Sequence, residues 1–122
     1  RITYARSCWT IGELGKRCVE MSKESCFIGY KIPFMFIIDI TRSTNPIKDN
    51  TAKIFFVTSN LIPLGLIKGH TAKEAHDNSR RSMLKAINKT LSKKDKDSQA
   101  IGQALWNNYI GQVVLGNQDA TL

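Results

Sequence analysis

Histidine occurs only twice in this chain, at His70 and His76, and cysteine only three times, at Cys8, Cys18 and Cys26. No two of these five residues stand at the C-x-x-C or H-x-x-x-H spacing of a ligand pair, which argues against a zinc site. A cysteine–histidine nucleophile needs a base beside the thiol and a third group to orient it, and no local signature supplies that. A glycine-rich phosphate loop is missing too, because Gly12 and Gly15 fall inside a helical pattern rather than between a strand and a helix. Asp39 closes an apolar run without a partner carboxylate, so it reads as a capping residue and not as an acid catalyst. These absences together predict a non-enzyme with no metal and no cofactor. The longest apolar run, Ile32 to Ile38, is closed by Lys31 and Asp39. It falls far short of the roughly 20 residues that a membrane span requires.

What the chain does hold is ordinary core material and an excess of positive charge. Its 122 residues, 42% of them hydrophobic, suffice for one domain over 1–122, with residues 116–122 expected as a frayed tail. Eighteen Lys and Arg against ten Asp and Glu give a formal charge of +8. Such a balance favours an acidic partner, whether nucleic acid, an anionic surface or a protein, or else it only solvates the faces. Nucleic-acid binding is disfavoured. The aromatic residues Phe27, Tyr30, Phe34, Phe36, Phe55 and Phe56 fall in apolar runs and are not interleaved with the charges.

The pattern along the chain is mainly helical. Thr10-Ile11-Gly12-Glu13 has the form of a capping box, and Ile11, Leu14, Cys18 and Met21 then recur on one helical face. Cys26 to Ile40 is ambiguous between a buried strand and a helix broken at Pro33. Thr41 to Thr51 is the most loop-like stretch, with Asn45-Pro46 and Asp49-Asn50 as turn formers. Residues 52–58 read as strand-like or buried, and an apolar turn at Leu61–Gly65 follows. Thr71-Ala72-Lys73-Glu74 is a second capping box. It opens a helix with an apolar stripe from Ala72 to Leu91 and an outward basic row of Arg81, Lys85 and Lys89. A last helix is expected from Ser98 to about Leu115, with Ile101, Ala104, Leu105 and Trp106 facing inward. The fold class that follows is mostly α, a single-domain bundle of four to five helices. The alternative is α+β with short strands near 34–40 and 52–58.

Three cysteines, two of them flanking a turn, suit an oxidising compartment. If Cys18 ends one helix and Cys26 begins the next, an antiparallel pair brings them within bridging reach. A Cys18–Cys26 disulfide across so short a loop would contribute about 2–3 kcal/mol. The other reading is three reduced thiols acting as small apolar residues.

The order of these motifs resembles a known family. Leu14-x-x-x-Cys18, then Cys26, Gly29-Tyr30 and Asp39, followed by Ile62-Pro63, the helix from Thr71 and Gln99-Ala100-Ile101-Gly102-Gln103-Ala104-Leu105, is similar to the immunity proteins of type VI secretion amidase effectors, the Rap/Tai group. The likeness is one of order and spacing, and it covers about Ile11 to Tyr109. It implies a small, largely helical periplasmic protein, exported with its signal peptide removed, often a homodimer and without catalysis of its own. Such a protein blocks the groove of a peptidoglycan-cleaving amidase, here an acidic one, and a broken helix through Cys26–Ile40 would belong to it. Blocking a cleft requires a protruding, pre-ordered loop. By position and polarity that loop is Thr41 to Thr51, with Arg42, Asn45, Lys48 and Asp49 at its tip. Readings from other classes are a structural or adaptor subunit of a bacterial envelope or secretion assembly and a basic nucleic-acid-binding domain.

Overall fold

A computed structural model describes residues 1–122. The chain is mostly helical, with a small three-stranded sheet. Strand β1 (Ile2–Tyr4) leads into a π-helical turn at Ile11–Gly15 and the short helix α1 (Lys16–Glu20). Strand β2 (Cys26–Tyr30) is followed by an irregular strap and then by helices α2 (Asn50–Ile67), α3 (Ala72–Leu91) and α4 (Lys96–Gly111). Strand β3 (Gln112–Gly116) starts directly where α4 ends. The sheet order is β1-β2-β3, parallel between β1 and β2 and antiparallel between β2 and β3.

β2 is the central strand, and every one of its residues is buried. Its alternation sorts the core. Cys26 and Ile28 pack against Ile62, Leu66, Ala72 and Ala75 of the helices. Phe27 points the other way, where its ring and Leu115 lie against Gly15. Thus α2 and α3 cover one face of the sheet, and the turn leading into α1 covers the other. A strand covered on both faces shows no polar alternation, which explains why its sequence period cannot tell it from a helix.

The strands expected near 34–40 and 52–58 are not formed, and neither is the broken helix through Cys26–Ile40. Residues 52–58 lie inside α2. Residues 34–39 form an irregular strap without sheet partners, and one side chain substitutes for a neighbouring strand. Asn108 accepts from the Met35 N–H at 2.8 Å and donates to the Met35 carbonyl at 2.6 Å. Asn107 adds a bond to the Pro33 carbonyl at 2.8 Å. Phe34 and Ile37 then sink into the cluster of Phe55, Ile87, Ala104 and Leu105.

Nor is there a turn at Leu61–Gly65, since α2 runs straight through Pro63. A proline in a helix orphans the carbonyl four residues back, here that of Ser59. The Tyr4 hydroxyl takes the place of the missing amide and donates to that carbonyl at 3.3 Å. Arg6 adds bonds to Ser59 Oγ at 3.0 Å and to Asn60 at 2.7 Å. Tyr4→Phe is therefore expected to cost about 1 kcal/mol, the net worth of one hydrogen bond. The measurement is the urea midpoint, and an unchanged midpoint would show that Pro63 needs no such repair.

Local signals fared differently at the two capping boxes. At Thr71 both bonds form, Glu74 N–H to Thr71 Oγ1 at 3.2 Å and Thr71 N–H to Glu74 Oε2 at 2.8 Å. At Thr10 the box does not form. Its hydroxyl oxygen instead accepts from the Tyr30 N–H at 3.2 Å, beyond the end of β1, and the chain winds as a wider π turn. That winding leaves Leu14 and Met21 exposed. The last helix stops at Gly111 rather than Leu115, and Trp106 faces outward. The end at 116–122 is tied down. The carbonyls of Gln118 and Ala120 accept from the N–H groups of Lys73 and Ala72, both at 2.9 Å, which satisfies the open amides of α3, and Ala120 is buried.

The expected Cys18–Cys26 bridge is not made, and all three cysteines are free. Cys26 sits in a strand, not at the start of a helix, and its side chain goes to the helical face. Cys18 lies half-buried on α1, and it borders one cleft near Arg1 together with Cys26 without bonding to it.

Candidate docking surface

The loop expected over Thr41–Thr51 ends at Asp49, because Asn50 and Thr51 already belong to α2; it is built from two 3-10 turns, Ile40–Arg42 and Pro46–Lys48. Asp39 starts the first turn, its Oδ1 accepting from the Thr41 N–H at 3.0 Å and from the Thr41 hydroxyl at 2.6 Å. Pro46 opens the second, where its fixed φ suits a helical first position. Asp49 then joins both ends of the loop. One carboxylate oxygen accepts from the Ala52 N–H at 2.9 Å and caps α2, and the other accepts from the Asp39 N–H at 2.8 Å.

Arg42, Asn45 and Lys48 are exposed, as a contact loop requires. Asp49 is not at the tip. It is buried at the base, where it acts as a staple. The Ala52 N–H, more than any other cause, holds its carboxyl below the usual carboxylate range against the opposing effect of burial; the N–H groups of Asp39 and Thr51 and the Arg42 charge help. Because this acidity is depressed in the folded state, the staple is fully in force above the ordinary value of 3.8 and is lost as the pH falls through the depressed one.

Sequence reasoning missed the apolar half of this surface. Ile40 is 78% exposed and Ile47 91%, and Met35, Phe36 and Ile38 on the adjoining strap are about half exposed. The Phe36 ring lies tilted against Phe56 of α2 at 5.5 Å between ring centres, and the Arg6 guanidinium lies 4.7 Å over the Phe56 ring. Ile38, Pro46, Ile47, Ala52, Lys53 and Phe56 border a shallow cleft of about 520 Å³. The usable signal was an apolar run seven residues long, Ile32 to Ile38, with a proline near its start: a chain that cannot pair as a strand can bury only one of its two sides.

The remaining chemistry is dispersed. His76 is buried, and desolvation first, then the charge of Arg80, pushes its pKa down. His70 and His76 each leave Nδ1 buried without a partner. Burial pushes the Cys26 thiol up to about 11, away from nucleophilic use. The cleft that Cys18 and Cys26 border has no histidine in its lining. No three His, Cys, Asp or Glu side chains converge on a common point. A second exposed feature joins α3 to α4: Trp106 stacks on Tyr109 at 5.3 Å, and Arg80 lies 4.2 Å over the Tyr109 ring. No helix is long and apolar enough to cross a membrane.

Comparison of the chain with protein-family models, with curated proteins and with solved structures yields no match.

Proposed function

We propose that this chain is a non-catalytic binding protein that docks the 40–48 loop and the adjoining strap onto an acidic partner protein. In its specific form it is an exported, periplasmic immunity protein that blocks the groove of a peptidoglycan amidase. The observation that carries the reading is Ile47, almost fully exposed on a loop that Asp49 holds in one shape. A large aliphatic side chain on a pre-ordered loop gains burial on docking at little ordering cost. Arg42 and Lys48 beside it supply charges complementary to an acidic cleft.

The test is titration calorimetry and stopped-flow association against a cognate amidase. Ile47→Asp is expected to weaken binding by about 2 kcal/mol or more, roughly 30-fold, as for a central anchor. Arg42→Glu with Lys48→Glu is expected to slow association about tenfold at low salt and to flatten its salt dependence. Unchanged affinity in both variants would sink the loop assignment.

One observation favours a second reading, binding of single-stranded nucleic acid. The Trp106–Tyr109–Arg80 stack sets aromatic faces beside an exposed basic residue, Arg81, at the start of the Arg81, Lys85 and Lys89 row. In a Trp9→Phe background, quenching of Trp106 fluorescence by oligo-dT that fades steeply with added salt is the expected result under this reading. No quenching at low salt removes it.

A further inference from the structure

The outer groove between α2 and α3 carries charge of one sign only. Its floor is Ile54, Val57 and Ala86, and Lys53, Lys89 and Lys93 stand around it. Asn50, Thr58, Ser82 and Thr90 complete the lining, so no carboxylate faces the groove. The two ion pairs of the protein, Arg17–Glu13 and Lys73–Asp77, leave these three lysines unneutralised. Lys53 and Val57 stand one turn apart on α2, Ala86 and Lys89 stand three residues apart on α3, and Lys93 follows in the turn just beyond the end of α3, so lysines line both sides of the groove. The groove holds about 380 Å³. It is continuous with the candidate docking surface, because Lys53 borders both this groove and the cleft beside Ile47.

The chemistry selects the occupant. A free phosphate would leave the aliphatic floor uncovered. A nucleic-acid strand would find no aromatic ring in the lining on which to stack a base. A bilayer surface does not follow a concave groove. Lysines offer movable point charges rather than the planar fork that pairs with one carboxylate, and this suits several carboxylates spaced along a partner. A helix with aliphatic residues at i, i+3 and i+4 and Glu or Asp on its flanks meets both requirements at once.

We propose that the α2–α3 groove receives an acidic amphipathic helix of the partner protein. The inference rests on the docking reading above and extends the contact surface from the loop across α2. Lys53 on α2 and Lys93 in the turn after α3 clamp the two sides, Lys89 on α3 adds a third charge, and Ile54 and Val57 take the aliphatic face.

The probe is a fluorescein-labelled synthetic peptide of about 15 residues, with Leu at i, i+3 and i+4 and Glu elsewhere, titrated against the full chain by anisotropy. Binding is expected to weaken at least tenfold in the Lys53→Glu/Lys89→Glu/Lys93→Glu triple variant, and about tenfold between low and physiological salt. A peptide with Lys in place of Glu is expected not to bind. If the reversed charges perturb folding, the Lys→Gln triple variant replaces them and is expected to lose affinity by a smaller factor. Three results overturn the proposal: no binding of the acidic peptide, equal binding by wild type and triple variant, or lysine-dependent capture of phosphatidylglycerol vesicles in preference to the peptide. Failure of the groove stays distinct from failure of the docking reading. An amidase that binds wild type and triple variant alike removes the groove alone. A peptide that binds while no amidase does removes the loop reading alone.

Discussion

Gly116→Ala is expected to destabilise the protein by about 3 kcal/mol or more. Gly116 ends β3 opposite Cys26 with φ +83, a conformation that side chains with a Cβ adopt only under strain. A Cβ there would run into the Ser25 carbonyl oxygen and approach Val19 at 2.8 Å. The carbonyl has no room to yield, because it accepts the Asn117 N–H at 3.0 Å and so starts the segment that returns to α3. Strain and collision therefore add at one position, and the damage spreads to the capping of Ala72 and Lys73. Gly12→Ala is the control. Nothing lies within 4 Å of its Cβ position, so its effect is expected within about 1 kcal/mol of zero. Urea unfolding of both variants decides the matter, and a Gly116→Ala midpoint equal to wild type would refute the account.

Asn108→Ala should cost about 2–4 kcal/mol, and here the loss reaches function. Asn108 is 1% exposed, and its amide replaces a neighbouring strand for Met35, accepting from the N–H and donating to the carbonyl. Truncation leaves both main-chain groups of Met35 unpaired in a partly buried place and opens a void where the buried amide stood. Hydrogen exchange is expected to rise across residues 34–39 while α3 stays protected. Asn108→Asp separates the two bonds: the Met35 N–H keeps its acceptor, and the Met35 carbonyl faces a carboxylate. Because the strap carries Met35, Phe36 and Ile38 of the docking surface, partner affinity should fall along with its protection. A strap that keeps wild-type exchange in Asn108→Ala would show that Phe34 and Ile37 alone hold it.

The parts of the docking loop that were legible in the sequence are those governed by neighbours along the chain. Asn45-Pro46 and Asp49-Asn50 mark turns by local chemistry, and Arg42, Asn45 and Lys48 are exposed as such residues in a loop usually are. Asp49 misleads because an exposed tip and a buried cap use the same residue type. Only its two amide partners, ten residues apart at Asp39 and nearby at Ala52, tell them apart. The apolar contribution of Ile40 and Ile47 was hidden for a similar reason. Aliphatic residues in a loop count as core until the structure shows that nothing covers them.

By itself the sequence determined a mostly helical chain, the α3 helix with its Thr71–Glu74 box, the outward basic row and the absence of a membrane-spanning helix. Each depends on contacts within about four residues or on composition. Tertiary structure alone decided that Cys26–Tyr30 is a strand, that α2 passes through Pro63, and that the strap is irregular and buried on one side. Their hydrogen-bond partners come from far along the chain: the Tyr4 hydroxyl reaches across 55 residues to α2, and the Asn108 amide across 73 to the strap. A local pattern cannot specify a donor that distant. A segment buried on every side also loses the polar positions from which its period would be read.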